Sequence, residues 1–160
     1  MIVAIFISPV RREPLVAIEE VRAVPGRGLE GDRYFHGVGS YSRWPGAGRE
    51  VTLIAEETLT LLADAHGIRL APGAHRRSIV TRGLVLEDLV GRDFMVGPVL
   101  MRGDRPCAPC RYLDGVSAAG TCEAMKRVGG GLRAVVLTEG ILRVGDPIVP
   151  LEGPIRPGLV

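Results

Sequence analysis

Short β-branched runs, each cut off by proline or glycine, dominate this chain and restrict it to a strand-rich fold. Ile2 to Ser8 is apolar and ends at Pro9, Val16 to Val24 alternates in part and stops at Pro25-Gly26, and Val51 to Ile54 is a third run. Asp93 to Val96, Gly97-Pro98 and Val99 to Arg102 read as a hairpin. So do Ala134 to Thr138, Glu139-Gly140 and Ile141 to Val144, with a Gly145-Asp146 turn leading into Ile148-Val149. Helical signals are few. Ala55 to His66 sets Ala55, Leu59, Leu62 and Ala63 on one stripe before Gly67; a short helix is expected over Val85 to Val90, and another from Thr121 as N-cap to Val128, closed by Gly129-Gly130-Gly131. Close-spaced strands with a few short inserted helices predict a mainly β, α+β domain built as a closed or half-closed barrel, and not an alternating βαβ sheet.

At 160 residues the chain is long enough to bury its own core, and residues 1–150 read as one folded unit with a Pro/Gly-rich tail at 151–160. No apolar run approaches the length needed to cross a bilayer, and MIVAIFISPV lacks the charged start and cleavage site of a signal peptide, so it reads as a first strand and the expected compartment is the cytoplasm. A net charge of +2 and 4% aromatic residues argue against nucleic acid as a partner. Of the twenty Lys and Arg, only Lys126 is lysine. Arginine's planar fork suits phosphate and carboxylate, although a GC-rich genome produces the same bias.

Three cysteines without a secretory signal read as reactive or metal-binding. Cys107 and Cys110 lie in GDRPCAPCRYLDG with Arg105 and Arg111 on either side. A closed zinc site would need two further ligands, and only Cys122, His36, His66 and His75 are left to complete a sulfur-histidine set. A dithiol redox site normally opens a helix, whereas Pro109 and the turn-forming Leu113-Asp114-Gly115 predict a loop. Two thiols buried as small apolar residues fit this polar loop poorly. A guanidinium beside a thiol favours thiolate, the form that binds soft metals and carries sulfur.

Three other clusters are ambiguous on local grounds. Gly26 to His36 has a glycine-rich backbone that can approach a ligand and present Asp32 and Arg33, but a surface connection would look the same, and the Gly-Lys-Ser/Thr ending of a phosphate loop is absent. Arg76, Arg77 and Arg82 surround the apolar Ile79-Val80, either clamping an anion or forming a solvated sheet edge, with the edge favoured. Arg43 and Arg49, flanking Trp44-Pro45-Gly46, pass as loop residues. The triple glycine at 129–131 follows a helix where a phosphate loop would precede one, which makes it a helix stop.

Taken in order, EEVRAVPGRGLEGDRY, REVTLI, SIVTRGLVLEDLVGRDFMVG, PCAPCRYLD and GGLRAVVLTEGILRVGD resemble the MOSC domain, named for the C-terminal domain of molybdenum cofactor sulfurase and also found as free-standing bacterial proteins. The resemblance runs from Ile2 to about Pro150. It implies a MOSC-type β-barrel that binds the molybdenum cofactor or handles activated sulfur through one family cysteine, best matched by Cys110, with Cys107 as a second thiol for persulfide relay. Gly31-Asp32-Arg33 matches the family's Gly-Asp-Arg block, Arg49 its Arg-x-Val-Thr block, and Arg77 to Thr81 its Arg-Asn-hydrophobic-hydrophobic-Thr block. Ser78 stands where asparagine is usual, and Tyr34-Phe35 where histidines are common.

The expected mechanism has Cys110 as the molybdenum ligand, Arg33, Arg49 and Arg77 on the pterin phosphate, Asp32 orienting them, and Gly31, Ser78, Thr81 and Arg105 completing the cofactor site. The bound cofactor would remove oxygen from a small N-hydroxylated substrate, with a separate reductase. A persulfide carrier served by a cysteine desulfurase, and a non-catalytic cofactor-binding module, are the alternatives. The resemblance also implies that a second copy of the chain or another protein covers the pterin. Cys122, expected on a short helix, reads as a buried apolar residue.

Overall fold

A computed structural model describes residues 1–37 and 49–152, so Arg43, the Trp44-Pro45-Gly46 turn and the tail from Gly153 onward lie outside the described residues. The chain runs β1 (Ile2–Ile7), β2 (Val16–Ile18), β3 (Glu20–Val24), β4 (Gly28–Leu29), β5 (Val51–Ala55), α1 (Glu56–His66), β6 (Ile79–Thr81), a 3-10 turn (Leu86–Leu89), β7 (Asp93–Val96), β8 (Val99–Pro106), α2 (Tyr112–Val116), α3 (Thr121–Val128), β9 (Leu132–Val136), β10 (Gly140–Arg143) and β11 (Ile148–Pro150). Eight strands form one sheet in the order β11-β7-β8-β9-β5-β6-β1-β2, and β10-β3-β4 form a second. The fold is mainly β, a curled half-barrel with a few short helices. No helix among the described residues is long and apolar enough to cross a membrane.

The larger sheet is antiparallel except where β5 and β6 run parallel, joined through α1. Strands β1, β5 and β6 are buried on both faces, which is why they read as unbroken apolar runs. Ile2, Ile5, Val51, Leu53 and Ile79 enter the core inside the curl with Phe94, Met101 and Leu132. Phe6, Ile54 and Val80 face the other way, against Leu62 of α1, Leu113 of α2 and Ala124 and Met125 of α3. Each fully buried side chain of this size contributes about 1.5–3 kcal/mol by removing apolar surface from water. The second cluster matters for the site, because it fastens to the sheet the two helices that follow the cysteine loop, α2 and α3.

Several expectations hold in detail. The 93–102 hairpin forms with Val96 opposite Val99, and α1 ends at Gly67 in the left-handed conformation, its N–H returning to Ala63. Others fail for reasons of long-range pairing. Val16 to Val24 is two strands in different sheets, with β2 on β1 and β3 on β10. Residues 134–144 are not a hairpin, since β9 lies between β5 and β8 while β10 crosses to β3, and β11 pairs with β7. Thr121 is the first residue of α3 and not its cap; Gly120 takes the cap position and the Thr121 hydroxyl donates back to the Ala118 carbonyl. Leu113-Asp114-Gly115, read as a turn, lies within the single helical turn α2. The strand flanked by arginines, read as a solvated edge, sits inside the sheet between β5 and β1.

Candidate functional site

Strands β6 and β9 begin, and β8 ends, level with Leu53 of β5, since Ile79 and Leu132 both pair with Leu53 and Pro106 pairs with Leu132, so the residues just outside those three strands converge beside Thr52. The floor is polar and self-paired. Thr52 and Ser78 face each other across the β5–β6 pair, the Ser78 N–H donating to the Thr52 hydroxyl at 3.0 Å and the two hydroxyls 3.2 Å apart. Arg133 is the register partner of Thr52 on β9, which places it on the same floor. Ser78 is therefore engaged with the neighbouring strand as well as facing the cavity.

Above this floor Cys107 leaves β8. Its N–H donates to the Gly131 carbonyl at 2.8 Å, and a Cβ at Gly130 would stand 2.1 Å from the Cys107 carbonyl oxygen. The triple glycine thus does two things: Gly129 ends α3 with an N–H to Met125, and Gly130 lets the cysteine loop pack directly on backbone. Arg77 fixes this junction. Its guanidinium donates to three backbone carbonyls, those of Gly130 (2.7 Å), His75 (3.3 Å) and Cys107 (3.4 Å). Among the described residues no carboxylate lies within ion-pair distance of it, and burial holds its pKa below the ordinary arginine value, opposed in part by the neighbouring Cys107 and Cys110.

His75 supports Arg77 from behind. Its Nδ1 accepts the Arg77 N–H at 3.0 Å, which fixes the tautomer with the proton on Nε2, and its ring meets Phe6 edge-on. Burial, reinforced by the Arg77 charge, lowers its pKa to about 4.

Asp32 organises the opposite wall. Only 3% exposed, its carboxylate accepts the Ser8 N–H at 2.8 Å, the Tyr34 N–H at 3.2 Å and Arg33 Nη1 at 3.2 Å. Arg33 is thereby aimed, while Asp32 itself stays behind it.

These elements enclose a cavity of about 310 Å³. Among the described residues six arginines line it, Arg12, Arg33, Arg49, Arg76, Arg77 and Arg133, and no Asp or Glu does. Tyr34, Tyr112, Thr52 and Ser78 add hydroxyls, and Cys107 and Cys110 add two thiols. Cys107 is buried and Cys110 exposed, both free. Such a site suits an anionic ligand that also offers a soft or electrophilic centre to sulfur. Among the described residues no three His, Cys, Asp or Glu side chains gather as metal ligands.

Of the residues expected from sequence, Arg33, Arg49, Arg77, Ser78, Cys107 and Cys110 come together here. Gly31, Asp32, Thr81 and Arg105 do not line the cavity. Gly31 is a positive-φ position against Ile7, Thr81 is fully buried with its hydroxyl on the Ile54 carbonyl at 3.4 Å, and Arg105 is exposed and paired with Asp104. Arg111 is exposed and outside it as well. Arg12, Arg133, Thr52 and Tyr112 were not legible as site residues. Only the β5–β9 register, which no local pattern reveals, sets Arg133 beside Thr52.

Comparison with curated protein sequences finds no significant match. Solved structures similar to this chain include YuaD from Bacillus subtilis (TM-score 0.75, 16% identity, covering 92% of this chain and 94% of that one) and YiiM from Geobacillus stearothermophilus (TM-score 0.69, 20% identity, 95% and 75%). YiiM from Escherichia coli is similar at TM-score 0.68 and 18% identity, over 96% of this chain and 71% of that one. At these identities the likeness establishes the fold. The model of the MOSC domain matches residues 36–149, most of the chain, every strand from β5 to β10 and the start of β11, and on that match the chain belongs to the MOSC domain family.

Proposed function

We propose that this protein binds the molybdenum cofactor in the arginine-lined cavity, with Cys110 as the thiolate ligand of the metal, and reduces small N-hydroxylated substrates. The observation that carries the reading is the donor set: an exposed thiol opening onto a cavity that, among the described residues, is lined by six guanidinium groups and no carboxylate. Thiolate has the softness the metal prefers, and guanidinium forks match the oxygens of a phosphate ester. Bound there, the cofactor would supply two-electron oxygen-atom chemistry.

The chain's own residues supply position and charge. Arg77, held on three carbonyls, offers a fixed positive charge to the cofactor's phosphate, joined by Arg49 and by Arg33, which Asp32 aims. Ser78 and Thr52 present hydroxyls from the floor, and Cys110 stands on the solvent side where a substrate can reach a metal bound to it.

A second reading rests on Cys107. This thiol shares the cavity with the exposed Cys110, which is open to a cysteine desulfurase, and would serve as a relay: its thiolate attacks the outer sulfur of a Cys110 persulfide and releases the Cys110 thiolate, leaving the sulfur sheltered from solvent. The deciding experiment measures molybdenum by elemental analysis and pterin by fluorescence after oxidation, on wild type and Cys110→Ser from cofactor-competent cells. Near-stoichiometric molybdenum in wild type, lost in the variant with the fold intact, supports the metal ligand. Metal-free protein carrying cyanide-labile sulfur supports the carrier and overturns the first reading.

A further inference from the structure

Two of the six cavity arginines stand apart from the rest. Among the described residues, Arg12 and Arg76 are the only non-glycine positions with positive φ, at 66° and 62°, and both line the cavity. They come from different segments, the β1–β2 loop and the approach to β6, and both approach the ring of Tyr112, just past Cys110, with guanidinium carbons 5.9 and 5.6 Å from its centroid. Tyr112 donates its hydroxyl to the Arg12 carbonyl at 3.2 Å, and Arg76 donates to the Glu13 carbonyl. Three segments are thus tied together around one aromatic ring.

These contacts fix the backbone of Arg12 and leave its charge facing the cavity. Among the described residues no carboxylate lies within ion-pair distance of either guanidinium; the nearby Asp32 is turned toward Arg33 and the Ser8 and Tyr34 N–H groups. The electron-rich ring face of Tyr112 offsets part of the repulsion between two like charges. A merely structural tie would need Arg76 alone, since its bond to Glu13 already holds the loop. The backbone conformation both arginines accept is one that residues with side chains avoid, and such conformations cluster at active sites and ligand clamps.

Arg77 lies deeper, buried and fixed to the cysteine loop, whereas Arg12 is exposed and Arg76 and Tyr112 are half-buried. We propose that Arg12, Arg76 and Tyr112 form a second anion subsite on the solvent side of the cavity, receiving a phosphate other than the one held beside Arg77. This rests on the reading that the inner arginines hold the cofactor's phosphate, and it narrows the ligand to one with a further phosphate group. That group belongs either to a phosphorylated substrate, a nucleotide in place of a free base, or to a phosphoanhydride on the cofactor itself.

The test titrates AMP and adenosine into the purified protein by calorimetry at low salt, for wild type, the Arg12→Gln/Arg76→Gln double variant and Arg77→Met, with circular dichroism to establish folding; Arg49→Gln stands in for Arg77→Met if that variant does not fold. In parallel, the pterin released from each protein is weighed by mass spectrometry. For a substrate phosphate, wild type binds AMP about tenfold or more tightly than adenosine, the double variant loses that advantage and the inner variant keeps it. For a cofactor phosphate, the released pterin carries a diphosphate-linked nucleotide, retained less by the double variant. An AMP advantage lost only in the inner variant, or no AMP advantage together with a pterin bearing one phosphate or no pterin at all, overturns the subsite. Absence of molybdenum and pterin with the AMP pattern intact defeats the cofactor reading and leaves the subsite standing.

Discussion

The Arg77 guanidinium donates from Nη2 to the main-chain carbonyl of Cys107 at 3.4 Å, so a buried positive charge and a buried cysteine are fixed to each other through backbone. With three of its five N–H donors on carbonyls and no carboxylate partner among the described residues, Arg77 carries an uncompensated charge that a bound anion relieves. Inorganic phosphate is therefore expected to raise the melting temperature. At a concentration a hundredfold above Kd the gain is about 2.7 kcal/mol, and a chain of this length shifts by roughly 2–4 °C per kcal/mol. Arg77→Met should lose more than half of that shift in scanning calorimetry. Equal shifts in both proteins would place the anion elsewhere.

Thiol accessibility separates the three cysteines. Cys107 and Cys122 are 1% and 2% exposed, while Cys110 is open to solvent. Under native conditions an aromatic disulfide reagent should titrate one thiol per chain within seconds and the other two only on unfolding. Cys110→Ser should abolish the fast phase and Cys107→Ser should leave it. A fast phase surviving Cys110→Ser would mean that the loop opens readily.

What the sequence revealed and what it hid divide along the range of the interactions. The 93–102 hairpin, the α1 stop at Gly67 and the Gly129 helix end are encoded by neighbours in the chain, and each is where the local pattern puts it. The strand switch between Val16–Ile18 and Glu20–Val24 was hidden, because a run of alternating residues looks the same whether it serves one sheet or two. The cavity follows the same rule. Cys107 and Cys110 were visible as a motif, and Arg33, Arg49 and Arg77 through a family resemblance. Arg133 depends on strand register, and Arg12 on a loop that reaches Tyr112 a hundred positions away. Arg76 was misjudged with its strand: flanking arginines suggest an edge until the sheet order places β6 inside.

The His75 site makes stability depend on pH. Its folded-state pKa is about 4 against 6.5 for the free side chain, because burial and the Arg77 charge disfavour the protonated ring. Above pH 6.5 both states are neutral and this site contributes no slope. Between 6.5 and 4 the unfolded chain binds a proton that the folded protein does not, so stability falls as pH falls, by about 3 kcal/mol in all. Urea unfolding at pH 7 and pH 4.5 should show this loss in wild type. His75→Asn, which keeps an acceptor for the Arg77 N–H, should flatten it, and an unchanged slope in that variant would assign the effect to other groups.

Gly130 tests whether the cysteine loop needs its close seat. An alanine Cβ there would stand 2.1 Å from the Cys107 carbonyl oxygen and 2.8 Å from Pro109 Cδ, so the loop must lift even though the Gly130 backbone itself is not in the left-handed region. Lifting it lengthens the bonds from Arg77 Nη2 to the Cys107 carbonyl and from the Cys107 N–H to the Gly131 carbonyl, and uncovers Cys107. Gly130→Ala is expected to cost about 1–3 kcal/mol in urea unfolding, the usual range for overpacking, and to turn Cys107 into a second thiol that reacts in the native state. Gly115 supplies the control. It lies in α2 with no positive φ, and an alanine methyl there would meet nothing within 4 Å, so Gly115→Ala should stabilise by roughly 0.5–1 kcal/mol and leave the thiol count at one. If Gly130→Ala behaved like Gly115→Ala, the packing of the cysteine loop on the triple glycine would not be what shelters Cys107.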